Sequence, residues 1–291
     1  MKGLIGSGVA LITPFKEDNN IDFEALGKLI EHQIAGGINY LVSLGTTGET
    51  ATLSKQEKKE ILHFTAEKVN GRVPLVGGIG GNNTKEIIDN INYFDLSKYS
   101  ALLSVSPYYN KPTQEGIYQH YKAISQASPL PVILYNVPGR TGSNIEAKTT
   151  IRLARECSNV IGIKEASGNF MQYSEIMRDK PDEFLLISGD DALALPMIAL
   201  GASGLISVLA NALPAKVSEL TKLSLEGDFT KAAKIHTDLI ETMNLCFVEG
   251  NPAGVKAILQ QKGICEDWLR LPLTPVSDAT RNRIATELEK L

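Results

Sequence analysis

The sequence predicts an α/β chain closed into a (β/α)8 TIM barrel, followed by a C-terminal helical appendage. Three observations predict it. Eight short apolar runs recur along the chain, amphipathic segments separate them in steps of about 25–30 residues, and the strand pattern stops near residue 226. The runs are residues 8–12, 40–44, 74–77, 101–105, 132–135, 160–163, 184–187 and 204–208. Such alternation implies parallel strands joined by right-handed crossovers, and eight units close most simply into a barrel. The alternative is a doubly wound open sheet. It would want a glycine-rich dinucleotide turn after the first run, and Thr13-Pro14-Phe15 is not one.

The helices between the runs announce themselves in order. Phe23, Leu26, Leu29, Ile30 and Ile34 build one apolar face, and Gly36-Gly37 closes that helix. Ser54-Lys55-Gln56-Glu57 is a capping box that opens the second, and Asn83-Thr84-Lys85-Glu86 opens the third in the same way. Asn211 followed by Pro214 marks the start of the helix after the eighth run, because proline is tolerated in a first turn. Residues 229–248, 252–261 and 276–291 read as helices. The expected division is a catalytic barrel over residues 1–226 and a helical domain over 227–291, with a role in packing or assembly.

Composition excludes several functions. A net charge of −4 without a basic stripe argues against nucleic acid as partner. No apolar stretch approaches the length of a membrane span, and the N-terminal residues lack the apolar run of a signal peptide. Cys157, Cys246 and Cys265 are odd in number and scattered, which suits free thiols in a reducing, cytoplasmic compartment. No cluster of His or Cys appears, so no metal is expected. His32, His63, His120 and His236 fall in helical stretches and read as surface or structural residues.

Chemistry in such a barrel gathers at the C-terminal ends of the strands. Lys164 stands where the sixth run should end, in Gly162-Ile163-Lys164-Glu165. Two readings are open: a solvated lysine at a strand end, or an amine nucleophile at the barrel mouth. A free lysine, with a pKa of roughly 10.4, is the neutral amine in only about one molecule in a thousand near pH 7.5. An apolar wall or a neighbouring cation raises that fraction. The other ends carry Gly45-Thr46-Thr47-Gly48-Glu49-Thr50, either a grip for a carboxylate or a capping turn, and Tyr108-Tyr109-Asn110, either functional or packing. The fifth end is Tyr135-Asn136-Val137-Pro138-Gly139-Arg140-Thr141-Gly142, with a phenol suited to proton transfer and a guanidinium suited to a carboxylate. The seventh is Ser188-Gly189-Asp190-Asp191, where Asp190 reads as a helix cap, and the eighth is Ile206-Ser207-Val208. An amine, phenols, hydroxyls and an arginine on one rim suit carbonyl chemistry on an anionic substrate.

With these motifs in this order, from about Gly3 to Arg270-Leu271-Pro272-Leu273-Thr274-Pro275, the sequence resembles the dihydrodipicolinate synthases of the class I pyruvate-dependent aldolase superfamily. The resemblance implies condensation of pyruvate with L-aspartate 4-semialdehyde to 4-hydroxy-tetrahydrodipicolinate, on the diaminopimelate route to lysine. It implies a lysine imine in place of any cofactor, and a homotetramer built from two dimers. It implies that Lys164 forms a Schiff base with pyruvate and that Thr46, Tyr135 and Tyr109 form a proton relay, Tyr109 coming from a neighbouring subunit. It implies that Thr47 binds the pyruvate carboxylate, that Arg140 binds the carboxylate of the aldehyde, and that Ile206 supplies a backbone carbonyl near the lysine. Thr50, Ala51, Asn82, Glu86 and Tyr108 would line part of a regulatory pocket. Many lysine-inhibited members carry histidines in the helix after the threonine loop, where this chain has Lys55 and Lys58. Added cations would repel a cationic effector, so weak or absent lysine feedback is expected. Three other readings compete, one of them that the C-terminal helices make the chain chiefly an assembly module. A sister lyase such as N-acetylneuraminate lyase, or a sugar-acid aldolase or dehydratase, shares the lysine and tyrosine but typically lacks the arginine. A catalytically silent acid-binding homologue would need no proton relay.

Overall fold

The structure, a computed structural model, describes residues 2–291. Eight parallel strands close into a barrel in chain order, the first pairing with the eighth. They are β1 (Gly6–Ala10), β2 (Tyr40–Ser43), β3 (Leu75–Gly78), β4 (Ala101–Val105), β5 (Val132–Asn136), β6 (Val160–Glu165), β7 (Leu185–Ser188) and β8 (Gly204–Ser207). Each of the eight apolar runs overlaps a strand. The largest differences are in β1, which begins two residues early and leaves Leu11 and Ile12 to the following loop, and in β6, which continues through Lys164 to Glu165.

Among the described residues, twelve α-helices accompany the strands. In the barrel they are α1 (Phe23–Ala35), α2 (Lys55–Val69), α3 (Thr84–Tyr93), α4 (Gln114–Ala127), α5 (Pro138–Thr141), α6 (Ala147–Glu156), α7 (Phe170–Asp179), α8 (Ala194–Ala199) and α9 (Pro214–Leu225). The appendage adds α10 (Phe229–Leu245), α11 (Ala253–Gln261) and α12 (Asp278–Leu288). Ser54 and Glu57 form the expected capping box on α2. Asn83 caps α3 alone, accepting from the amides of Lys85 and Glu86, because the Glu86 side chain turns towards a cavity instead. Pro214 occupies the first turn of α9, whereas Asn211 ties the barrel ends together: its Nδ2 donates to the carbonyls of Ala10 and Val208.

Two packed layers fix the strand faces. Inside the barrel lie Ala10, Tyr40, Val42, Val76, Leu103, Ile133, Tyr135, Ile161, Ile187 and Ile206. The alternate residues, among them Val9, Leu41, Leu102, Leu134, Ile163, Leu186 and Leu205, face the helices. This outer core runs without a break from Val9 to Ile284, so the appendage shares its apolar interior with the barrel. Helix α11 is buried from Ala253 to Leu259, and Lys256 is wholly enclosed within it.

Candidate active site

Strand β6 would present the wrong side chain if it were regular. Side chains alternate along a strand, so with Ile161 inside the barrel, Lys164 would point out into the helices. The register between β5 and β6 shifts instead: Val132 pairs with Val160, and Ile133 pairs with Gly162. Ile161 is the extra residue, and such a bulge moves every later side chain to the other face. Ile163 therefore joins the outer core, and Lys164 turns inward opposite Tyr135 and Ile187. Only glycine fits at 162, because an added Cβ would lie 2.7 Å from the carbonyl oxygen of Leu185.

The Lys164 side chain is only 5% exposed, and its Nζ lies 4.3 Å from the centre of the Tyr135 ring. It forms no ion pair among the described residues; the buried lysine that has one is Lys256. Gly189 leaves room for its stem, since a Cβ there would meet Lys164 Cε at 2.9 Å. On the outer face of the same strand end, the buried Glu165 carboxylate accepts from Asn136 Nδ2 at 2.8 Å, Gln172 Nε2 at 2.7 Å and Ser167 Oγ at 2.7 Å. Burial holds its pKa above the usual carboxylate value, and these three donors oppose the rise. No cation contacts Glu165 in this network, so Lys164 is not neutralised by its sequence neighbour.

Two adjoining cavities open at this rim. One, of about 870 Å³, is lined by Lys164, Tyr135, Thr47, Arg140, Gly189 and Asp190. The other, of about 590 Å³, is lined by Thr46, Tyr135 and Arg140 together with Thr50, Ala51, Lys58, Glu86 and Tyr108. Tyr135 and Arg140 border both. The structure thus gathers most of the sequence-predicted residues. Asn82 stands outside the lining and donates to the Tyr108 carbonyl at 3.1 Å. Ile206 is fully buried on β8 and lines neither cavity. Tyr109 is 89% exposed, has a left-handed φ of 70°, and also lines neither. Asp190 caps the turn after β7 through Oδ1 and the Ala192 amide, as expected, while still facing the lysine cavity.

Of the two added cations only Lys58 faces the second cavity. Burial lowers its pKa, and Glu86 opposes that shift. Lys55 instead lays its ammonium 4.2 Å over the Tyr93 ring.

The threonine loop is braced from the appendage, through contacts that sequence reasoning missed and through Lys256 and Asn251, which it did not single out. Glu49, with a left-handed φ of 53°, meets Lys256 Nζ at 2.5 Å, and both side chains are wholly buried. Glu49 Oε2 also accepts from the Arg270 amide at 3.1 Å, and the Arg270 guanidinium pairs with Glu57. Asn251 Nδ2 donates to Thr47 Oγ1 at 2.9 Å. One signal was available: Lys256 is the lone charge in an otherwise apolar stretch, 253–259.

Fold and site define a class, a (β/α)8 barrel whose C-terminal rim holds an unpaired, buried amine beside groups suited to an anionic carbonyl compound. The comparisons with known proteins narrow it. A family model described as the dihydrodipicolinate synthetase family matches residues 3–291, and the chain belongs to that family. A 4-hydroxy-tetrahydrodipicolinate synthase from Parabacteroides distasonis is 52% identical over 288 residues, covering 99% of this chain and 97% of that one. The crystal structure of dihydrodipicolinate synthase from Aquifex aeolicus superposes with a TM-score of 0.96 at 42% identity, covering 99% of this chain and 98% of that one. A chloride-inhibited dihydrodipicolinate synthase from Acinetobacter baumannii, complexed with pyruvate, also gives 0.96, at 40% identity with the same coverage. Among the described residues, no helix is long and apolar enough to cross a membrane.

Proposed function

We propose that this chain condenses pyruvate with L-aspartate 4-semialdehyde, through an imine on Lys164, to give 4-hydroxy-tetrahydrodipicolinate for lysine biosynthesis. The observation that carries the chemistry is the inward, buried and unpaired Lys164 at the rim. The neutral amine attacks C2 of pyruvate and expels water, leaving an iminium. The iminium is an electron sink, so the adjacent methyl carbon loses a proton without an added cofactor. The enamine carbon then attacks the aldehyde. Finally the amino group of the semialdehyde attacks C2, closes the ring and displaces the Lys164 amine. One water is released overall, and the enzyme returns unchanged.

The remaining roles are those that the family likeness implies. Thr46, Tyr135 and Tyr109 relay protons, and Thr47 donates to the pyruvate carboxylate. Tyr109 is exposed and lines neither cavity of its own chain, which supports its delivery to a neighbour's site in a homotetramer. Ile206, whose side chain packs inside the barrel on β8, supplies a backbone carbonyl near the lysine. The barrel, residues 1–226, carries the chemistry, and residues 227–291 brace it. The three free thiols suit the cytoplasm, where this biosynthesis runs.

Borohydride reduction with pyruvate alone, read by intact mass and peptide mapping, tests the reading. A reduced pyruvyl adduct on Lys164 supports it, and folded protein without an adduct refutes it. Arg140 lines both cavities and presents the planar fork that a carboxylate fits. Arg140→Ala should lower kcat/KM for the semialdehyde roughly a hundredfold or more, as expected for loss of a charge-assisted contact, while leaving pyruvate trapping near normal. Equal loss of both would assign the arginine elsewhere. Lys58 in the neighbouring cavity repels a cationic effector, so initial rates should respond weakly or not at all to lysine. Half-inhibition at micromolar lysine would contradict this.

A further inference from the structure

The link between α10 and α11 delivers a residue that the reaction above does not use. Asn251 comes from the appendage, is only 6% exposed, and lines both cavities. Its two amide ends are treated differently. Nδ2 donates to Thr47 Oγ1 at 2.9 Å, whereas Oδ1 is buried without a partner. Most buried side-chain amides have both ends satisfied; Gln33 Oε1 is also left open, but away from both cavities. Asn251 differs in that its open acceptor belongs to a residue lining both cavities, where a ligand group can reach it.

The bond to Thr47 has a direction, and the direction matters. An amide NH2 has only protons to offer, so Thr47 Oγ1 is the acceptor there. The threonine hydroxyl has a single proton, and that proton is thereby turned away from Asn251. Among the described residues, no protein acceptor takes it. We propose that Asn251 is a positioning residue for the keto-acid carboxylate: it commits the Thr47 hydroxyl to donating its proton to the substrate. The appendage thus sets the polarity of the barrel's anion grip. This rests on the reading of Thr47 as the carboxylate-binding hydroxyl.

Asn251→Asp is the sharp test, because it preserves shape and reverses polarity. Its side chain can only accept, so it takes the Thr47 proton and sets a negative charge beside the carboxylate. Asn251→Ala merely frees the hydroxyl, and it also serves if the aspartate variant fails to fold. Expected results are a KM for pyruvate raised roughly tenfold in Asn251→Ala, the scale of a hydrogen bond to a charged group, and raised further in Asn251→Asp. The KM for the semialdehyde should change little. Reductive trapping of hydroxyacetone, a ketone without a carboxylate, should be as efficient in both variants as in the parent enzyme. In a Thr47→Ala background, Asn251→Ala should add nothing, since the two residues act as one unit.

Parent-like pyruvate KM in both variants would overturn the proposal. So would equal loss of hydroxyacetone and pyruvate trapping, which marks a structural role, or full additivity with Thr47→Ala. If Thr47→Ala itself leaves the pyruvate KM unchanged, the underlying assignment of Thr47 falls, and this inference falls with it.

Discussion

Lys164→Ala should yield no reduced pyruvyl adduct and should lower turnover on the order of 10⁴-fold or more, the scale seen when a covalent nucleophile is removed. The size of the effect follows from the chemistry. Without the imine, deprotonation of the pyruvate methyl has no electron sink, and the tyrosine and threonine hydroxyls have no activated carbon to serve. Among the described residues, no other lysine lines this cavity. Lys256 is sealed in its pair with Glu49, and Lys58 borders only the adjoining cavity. The substitution removes a side chain that faces a cavity and holds no ion pair, so the fold should survive it. Thermal unfolding of the variant, measured beside its trapping, separates lost chemistry from lost structure. An adduct formed at the parent rate, mapped to any residue, would refute the nucleophile assignment.

Lys256→Met should cost about 3–5 kcal/mol of stability, because it leaves the Glu49 carboxylate buried without its cation. Burial already depresses the Lys256 pKa, and the neighbouring Glu49 carboxylate opposes that shift. The ammonium also donates to the Trp268 carbonyl at 2.7 Å and stands 4.4 Å from the centre of the Phe15 ring. A methionine keeps most of the volume and loses all the polarity. Glu49 follows directly on Thr46-Thr47-Gly48, so its release should also raise the pyruvate KM. Combining Glu49→Gln with Lys256→Met should recover much of the lost stability, because neither remaining group is then an unpaired charge. Urea unfolding of the single and double variants at fixed protein concentration measures this. A single variant as stable as the parent would show that the pair contributes nothing.

Much of this protein was legible in its sequence because the controlling signals are local. Eight apolar runs at even spacing dictate a parallel barrel, since each run must be buried on both faces and each intervening helix must return the chain. Ser54 and Glu57 lie one helical turn apart, so the cap they form is written in four residues. The threonine, tyrosine, arginine and lysine motifs could be collected because all follow strands, and parallel strands send all such ends to one rim.

The tertiary structure alone decided the rest, because it depends on residues far apart in the chain. In the sequence, the apolar run stops at Ile163, just before Lys164. In the fold, Ile161 bulges against β5, β6 continues, and the lysine reverses from the outer to the inner face. That reversal needs Gly162 against the Leu185 carbonyl, a contact between two strands that no local pattern records. Glu49 and Lys256 are separated by 207 positions, and Thr47 and Asn251 by 204. Burial of a charge, and the direction of a hydrogen bond, are properties of the completed core. The residue types for the chemistry are therefore set by the chain locally, whereas their faces, partners and proton directions exist only once the barrel and its appendage have closed on each other.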